Sequence, residues 1–453
     1  MRETLVKTEE FKDSPLGKIP TGWQVGRLSN FYAVPARNGL YKSPQYYGRG
    51  VLMIHMPQMF RGLEIDISDA ARVEVNPTEL ERFELKPGDL VFARRSLNLE
   101  GAGRCSLVPE LPEPVTFESS IIRVRLYKEQ LRSAFANYFL NSEIGFRLRL
   151  PLIRQVAVSG VSSEDIASIP ILVPPIPEQE GIIEIIGTVD KTIAHTSSLI
   201  AKLKQMKAGL LHDLLTRGLD ENGELRDAIG HPEHFKDSPL GQIPKNWEVV
   251  PLTTLCHKIT DGSHQSVKTS DSGVPFLYVS CVRDGQILWE QAAKIPEQTY
   301  AEISKGREPV PGLILYTAVG SYGHAALVRE KYQFSFQRHI AYILANSESV
   351  EPAYLAMWLN SPQGRKYADK VALGNAQKTV TLGALASFPV LLPEIDEQRR
   401  ITEILDTHET RIRTEEAYRE KLKLQKQGLM HDLLTGKVRI KDVDKFTPAS
   451  DTV

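Results

Sequence analysis

Two stretches of this chain share one rhythm of apolar positions. Along residues 178–216 the apolar residues Ile182, Ile186, Val189, Ile193, Ile200, Leu203 and Leu210 recur at steps of three, four or seven. Ile401, Leu405, Ile412, Leu422 and Leu429 follow the same template along residues 397–435. Such steps place the apolar side chains on one helical seam with heptad character. Pro177 and Pro393 stand just ahead of the two stretches, where proline is compatible with a helix start. The pattern therefore predicts two long helices. Each would be a rod of about 58 Å at the α-helical rise.

Elsewhere the period changes. "GVLMIHMP", "DLVFA" and "SIIRVRL" in the first half, and "VPFLYVSCV", "LILYTAV" and "HIAYILA" in the second, are short apolar runs bounded by turn residues. They predict strands. "EQLRSAFANYFLNSEIGFRLRL" and "EPAYLAMWLNSPQGRKYADKV" read as helices. Each half is thus expected to be an α+β domain dominated by strands, over residues 23–175 and 247–393. The lead over residues 1–22 precedes the first. The first long helix is expected over residues 176–217 and the second over 394–437. A polar, Gly- and Pro-punctuated linker over 218–246 and a tail over 438–453 complete the division.

The halves are copies. "FKDSPLGKIPTGW", starting at Phe11, returns as "FKDSPLGQIPKNW", starting at Phe235, 224 positions later. Pro87–Gly88 and Pro311–Gly312 keep that offset, whereas "YFLNS" and "MWLNS" stand 219 apart. The first copy therefore holds five extra residues, in "ARRSLNLEGAGRCS" opposite "TAVGSYGHA". Both read as loops, which tolerate insertion and carry function. The helical stretches align without a gap, with 18 identities in 39 positions. Exact spacing over that length suits a continuous helix. The duplication also implies an approximate two-fold relation between the copies.

Composition narrows the class. At 453 residues, with 42% hydrophobic and 25% charged residues, the chain resembles ordinary globular proteins of more than one domain. It has no apolar run of the roughly 20 residues a membrane span needs. "MRETLVKTEEFKDS" lacks the apolar centre of a signal peptide. Three separated cysteines, Cys105, Cys256 and Cys281, give neither a disulfide framework nor a zinc site and fit a reducing cytoplasm. The net charge of −1 argues mildly against nucleic-acid binding, unless the charge is segregated onto one face.

The order of these phrases resembles the DNA-specificity subunit of type I restriction–modification systems. It rests on the repeated lead phrase, on "ITDGSH" followed by "GVPFLYVSCVRDG", on "PGLILYTAVGSYGHAALV", and on the two "EQ…LLHDLLT/LMHDLLT" helices. The resemblance implies two target-recognition domains separated by two antiparallel helices. Each domain would read one half of a split target in double-stranded DNA. The helices would set the gap and dock two methyltransferase subunits, with motor-nuclease subunits joining the assembly. S-adenosylmethionine, ATP and magnesium are then expected on the partners, with no cofactor on this prokaryotic, cytoplasmic chain. A rod of about 58 Å exceeds one DNA turn of about 34–36 Å and suits a gapped target.

Pairing the copies suggests where DNA would be touched. "ARNGLYKS" falls opposite "ITDGSHQS", which selects Asn38, Tyr41 and Lys42, then Ser263, His264 and Lys268. The loops after the strands add Arg94, Arg95 and Arg104, then Ser321, Tyr322 and His324. Arginine can bind guanine through two parallel hydrogen bonds. The alternatives are ordinary exposed turns, phosphate contacts and surface ion pairs. Arg147, Arg149, Arg154, Arg338, Lys366 and Lys370 are expected to meet phosphates or to be solvated. The differing loops predict two different half-sites. On the helices, Ile182, Ile186, Leu203, Leu210, Leu405, Leu422 and Leu429 are expected to pack. His212–Asp213 and His431–Asp432 fit a helix end or partner surface better than catalysis, having no evident nucleophile nearby. Gly209 and Gly428 share a helical position, where either close helix approach offsets the propensity cost of glycine or the glycines are simply tolerated.

Two rival classes remain at this stage. A self-contained DNA methyltransferase would need an Asn/Asp-Pro-Pro-aromatic motif; "VPPIP" lacks its polar and aromatic members. Neither a cofactor loop nor a GxxxxGK[ST] phosphate loop is present. A protein-interaction scaffold would recruit partners with its helices and bind protein with its mixed domains, its DNA binding absent or without sequence preference.

Overall fold

The computed structural model describes residues 5–8, 10–155, 158–375 and 377–440. The expected tail therefore lies outside the described residues from 441 on. Contacts divide the chain into two compact units. The first holds residues 1–197 and 417–453, and the second residues 198–416.

In the first unit, a four-stranded antiparallel sheet runs in the order Tyr32–Asn38, Ile121–Leu126, Leu90–Ala93, Cys105–Leu107. A three-stranded sheet places Tyr47–Ile54 between Val115–Phe117, its parallel neighbour, and Ala71–Val73. Leu90–Ala93 is buried throughout, which is why it reads as a continuous apolar run rather than an alternating one. Its side chains serve two cores. Leu90 and Phe92 face a cluster with Trp23, Phe135 and Phe139, while Val91 and Ala93 face Ile54, Met59 and Phe117.

The second unit repeats this plan. Its four-stranded sheet runs Cys256–Asp261, Ile340–Ala345, Leu313–Thr317, Ala325–Leu327. Val274–Leu277 is central in a three-stranded sheet, parallel to Ser335–Phe336 and antiparallel to Ala293–Ile295. The helix pairs Ser133–Asn141/Glu143–Arg149 and Pro352–Asn360/Pro362–Val371 also correspond. Asn141 ties its pair to the sheet edge at the Cys105 carbonyl (2.9 Å), as Asn360 does at Ala325 (2.8 Å). Both copies are mixed helix and strand, as expected.

The two rhythmic stretches form continuous helices, Ile176–Leu214 and Ile395–Leu434. Each unit contains the first part of one and the last part of the other. In the first unit Ile182, Ile185 and Ile186 share a core with Leu433 and Leu434, and Asp190 pairs with Lys426 (2.6 Å). In the second, Leu214 and Leu215 share a core with Ile401 and Leu405. There Lys207 pairs with Glu409 (2.5 Å) and Lys204 with Glu416 (2.7 Å), an antiparallel order. Among the described residues, no helix is long and apolar enough to cross a membrane.

The repeated lead phrase forms a hairpin in each unit, Phe11–Ser14 with Gly17–Pro20, and Phe235–Ser238 with Gly241–Pro244. Each hairpin delivers a fully buried tryptophan, Trp23 or Trp247. The Trp23 indole donates to Glu178 (3.0 Å), in the first turn of the long helix, and Trp247 donates to Glu397 (3.1 Å). Both glutamates also bind a two-pronged arginine. For Glu397 it is Arg226 of the linker (2.6 and 3.0 Å). For Glu178 it is Arg439 (2.9 and 2.6 Å), whose strand Val438–Ile440 pairs with Leu5–Lys7.

Candidate nucleic-acid interface

The strand register decides which loops lie together. In the first unit Ile122 sits opposite Asn38 on one side and Phe92 on the other. The turn after Asn38, the loop after Ala93 and the turn before Ile121 therefore share one end of the sheet. A hairpin reaches the same end, where Ser159 and Gly160 pair with Ser96 and Arg95. Gly39 is packed so that a Cβ would overlap the Phe117 and Glu118 carbonyls. Only glycine lets the chain pass there, which fixes the next turn.

The second unit builds the same end from different side chains. Asp261 pairs with Ala341, and Thr317 with Ile340. Gly262 repeats the close passage, against the Phe336 and Gln337 carbonyls. In place of the hairpin, Thr379 is bridged to both Leu373 and Val319.

The candidate residues separate into exposed and tethered groups. At the first end Asn38, Tyr41 and Arg95 are exposed, and Arg94 is half-buried with a bond to the Ser119 carbonyl (3.4 Å). Arg154 joins Arg94 and Arg95 around a shallow concavity, while also pairing with Asp165 (3.3 Å). Lys42 is instead held by Glu79 (2.7 Å), with its side chain 12% exposed. Arg104 turns inward, over the Phe60 ring and onto the Gly62 carbonyl (3.2 Å). Burial lowers its pKa.

At the second end His264 is exposed and bonded to Asp261 (2.6 Å), and Lys268 and Ser321 are exposed. Ser263 is buried, its hydroxyl accepting from the Gln265 amide (3.2 Å). Tyr322 donates to Asp369 (2.6 Å). His324 is buried between Arg283 (2.8 Å) and Arg365 (3.0 Å), and burial followed by the two guanidinium charges lowers its pKa. Arg338 is exposed beside half-buried His339, whose pKa burial and Arg338 lower.

Two expectations need correction. Arg149 is neither solvated nor open to phosphate. It is buried, donating to the Leu140 carbonyl at the helix end (2.8 Å) and the Glu100 carbonyl in the loop (3.1 Å), which satisfies both acceptors. Gly209 and Gly428 do not mark close helix approach, since a Cβ at either would meet open space. Gln155, Gln377 and Lys378, on the pairing segments, are exposed too. Their only signal was position, between the second helix of each pair and the strand before each long helix.

On the long helices Ile182, Ile186, Leu203, Leu405 and Leu422 are buried. Leu210 and Leu429 are half-buried against the cores. His212 and His431 are exposed. The helix starts are locked by a second repeated residue. Gln179 accepts from the Arg132 amide (2.8 Å) and donates to the Pro174 carbonyl (2.8 Å). Gln398 does the same with Glu351 (2.8 Å) and Pro393 (2.8 Å).

Comparison with known proteins fits this duplicated plan. Residues 20–205 and 244–424 each match the type I restriction modification DNA specificity domain. The chain is 24% identical over 446 residues to the protein of Methanocaldococcus jannaschii described as the MjaX specificity subunit of a type I restriction enzyme. That match covers 96% of this chain and 98% of the relative. It is 28% identical over 194 residues to the EcoKI specificity subunit of Escherichia coli, covering 40% of this chain and 41% of that one. Among solved structures, the type I restriction–modification S subunit from M. genitalium superposes with a TM-score of 0.56 at 12% identity. That superposition covers 91% of this chain and 96% of the other. The duplicated architecture and the doubled match together place this chain in the type I restriction–modification DNA-specificity family.

Proposed function

We propose that the two sheet ends read the two halves of a bipartite target in double-stranded DNA. The chain is a recognition subunit and not itself the enzyme; chemistry belongs to the subunits it directs. The observation that carries this reading is one strand plan bearing two sets of exposed side chains. Tyr41 and Arg95 are exposed at the first end, and His264, Ser321 and Arg338 are exposed at the second. A shared scaffold with different loops is what two different half-sites require.

The helices support the rest. Residues 189–201 and 408–420 share one identity in 13 positions, whereas residues 202–216 and 421–435 share 11 in 15. Lys202, Gly209 and His212, like Lys421, Gly428 and His431, are both identical and exposed. Identity that packing does not demand fits two copies of one partner, namely two methyltransferase subunits. Motor-nuclease subunits complete the assembly. S-adenosylmethionine, ATP and magnesium act on those partners, in the cytoplasm of a prokaryotic cell where its DNA lies. The stiff helices fix the gap between half-sites.

The test is methylation-sensitive sequencing of DNA from cells carrying the full system. Replacing residues 23–175 by another recognition domain is expected to change one half of the modified motif and leave the other. A change in both halves at once would refute independent reading.

A further inference from the structure

The loop that makes the first copy longer holds a leucine away from every core. Leu97 is 94% exposed. A single exposed leucine is unremarkable on a protein surface. This one stands out because its loop is firmly built. The Asn98 side chain accepts from the Gly101 amide (3.1 Å), and the Asn98 amide donates to the Ser96 hydroxyl (3.3 Å). A Cβ on Gly101 would overlap that hydroxyl, so the turn is closed tightly. From below, buried Arg149 holds the Glu100 carbonyl (3.1 Å). Leu97 is therefore presented outward by a braced support.

Its surroundings indicate what it meets. Arg94 and Arg95 precede it in the chain, and the hairpin carrying Arg154 pairs with the base of its loop. Tyr41 (80% exposed) and Val158 (42% exposed) lie on the other segments gathered at this end. An apolar projection flanked by cations matches a duplex, which offers phosphates outside and stacked apolar faces within. A protein partner would lack the dense row of phosphates that three arginines suit. On the shorter loop of the second unit, Tyr322 is tied to Asp369 and has no free apolar tip.

We infer that Leu97 is a wedge that enters between neighbouring base pairs of the half-site read by the first unit and kinks the duplex there. This rests on the reading of the sheet ends as DNA-binding. Proteins that insert leucine between base steps bend DNA by about 20–90°. The inserted side chain then loses its water-exposed surface.

The test uses the full chain with its methyltransferase partner and duplexes carrying either the methylated motif or a scrambled one. Affinity is followed against salt, and bending by energy transfer between end labels. Wild type is expected to prefer the motif and to bend it within the first unit's half. Leu97→Ala is expected to weaken binding about 10- to 100-fold, the scale of one buried leucine, and to reduce the bend. The slope of affinity against salt should not change, because no phosphate contact is lost. Leu97→Met should retain both properties. Arg95→Ala, by contrast, should lower that slope by about 1. Unchanged affinity and bending in Leu97→Ala would overturn the wedge alone. So would weaker binding with an intact bend, which would make Leu97 a base-edge contact. A wild-type chain without preference for the motif would overturn the DNA reading beneath it as well.

Discussion

Glu178 and Glu397 each gather a tryptophan indole and an arginine at the start of a long helix. Removing one partner of a buried charged pair leaves the other unpaired, at a cost of about 3–5 kcal/mol. Glu397→Ala would strand Arg226, the Trp247 indole and the Leu219 amide, which donates to that carboxylate (2.7 Å). The expected outcome is an unfolding transition of the second unit at markedly lower urea, read by hydrogen exchange of its amides. Exchange in the first unit should change little. This role was not legible in the sequence. Trp23 and Glu178 lie 155 positions apart, and no local pattern links a hairpin to a helix start so distant. Charge state at the sheet ends was equally hidden. Lys42 and Arg95 look alike as letters, yet one is neutralised by Glu79 and the other stands exposed.

Among the elements, the long helices were the most legible, because their apolar spacing repeats without a gap. The strands were readable as apolar runs. The segments that pair with the sheet-end loops were not, since "RQVAVSG" and "GNAQKTV" share no obvious phrase and are short. The glycines at 209 and 428 make a prediction for the helices themselves. Each faces open space, so Gly→Ala should stabilise its helix by about 0.5–1 kcal/mol, seen as a higher melting temperature by circular dichroism. If a partner backbone lies against these positions, the same substitutions should weaken methyltransferase binding. Unchanged binding would remove them from the docking face.

For the whole molecule, two segments far apart in the sequence close the first unit. Val438–Ile440 pairs with Leu5–Lys7, and Arg439 does for Glu178 what Arg226 does for Glu397. The linker that performs this closure in the second unit is an ordinary internal segment. A chain joined end to start and reopened beside Ile229, which is 94% exposed, should keep its fold and its modified motif. Methylation-sensitive sequencing of cells carrying the permuted gene would check this, and loss of the motif would show that the linker must stay unbroken.

The exchange of helix halves has a consequence for ancestry. Each unit is completed by the last part of the helix that follows the other copy. A gene encoding one copy alone would make a product whose exposed apolar seam only a sibling molecule could cover. Two such products, swapping helices reciprocally, would form a homodimer with matching sensors on both sides. Its preferred DNA would be an interrupted palindrome, from which the present asymmetric reader could arise by fusion and divergence of the loops.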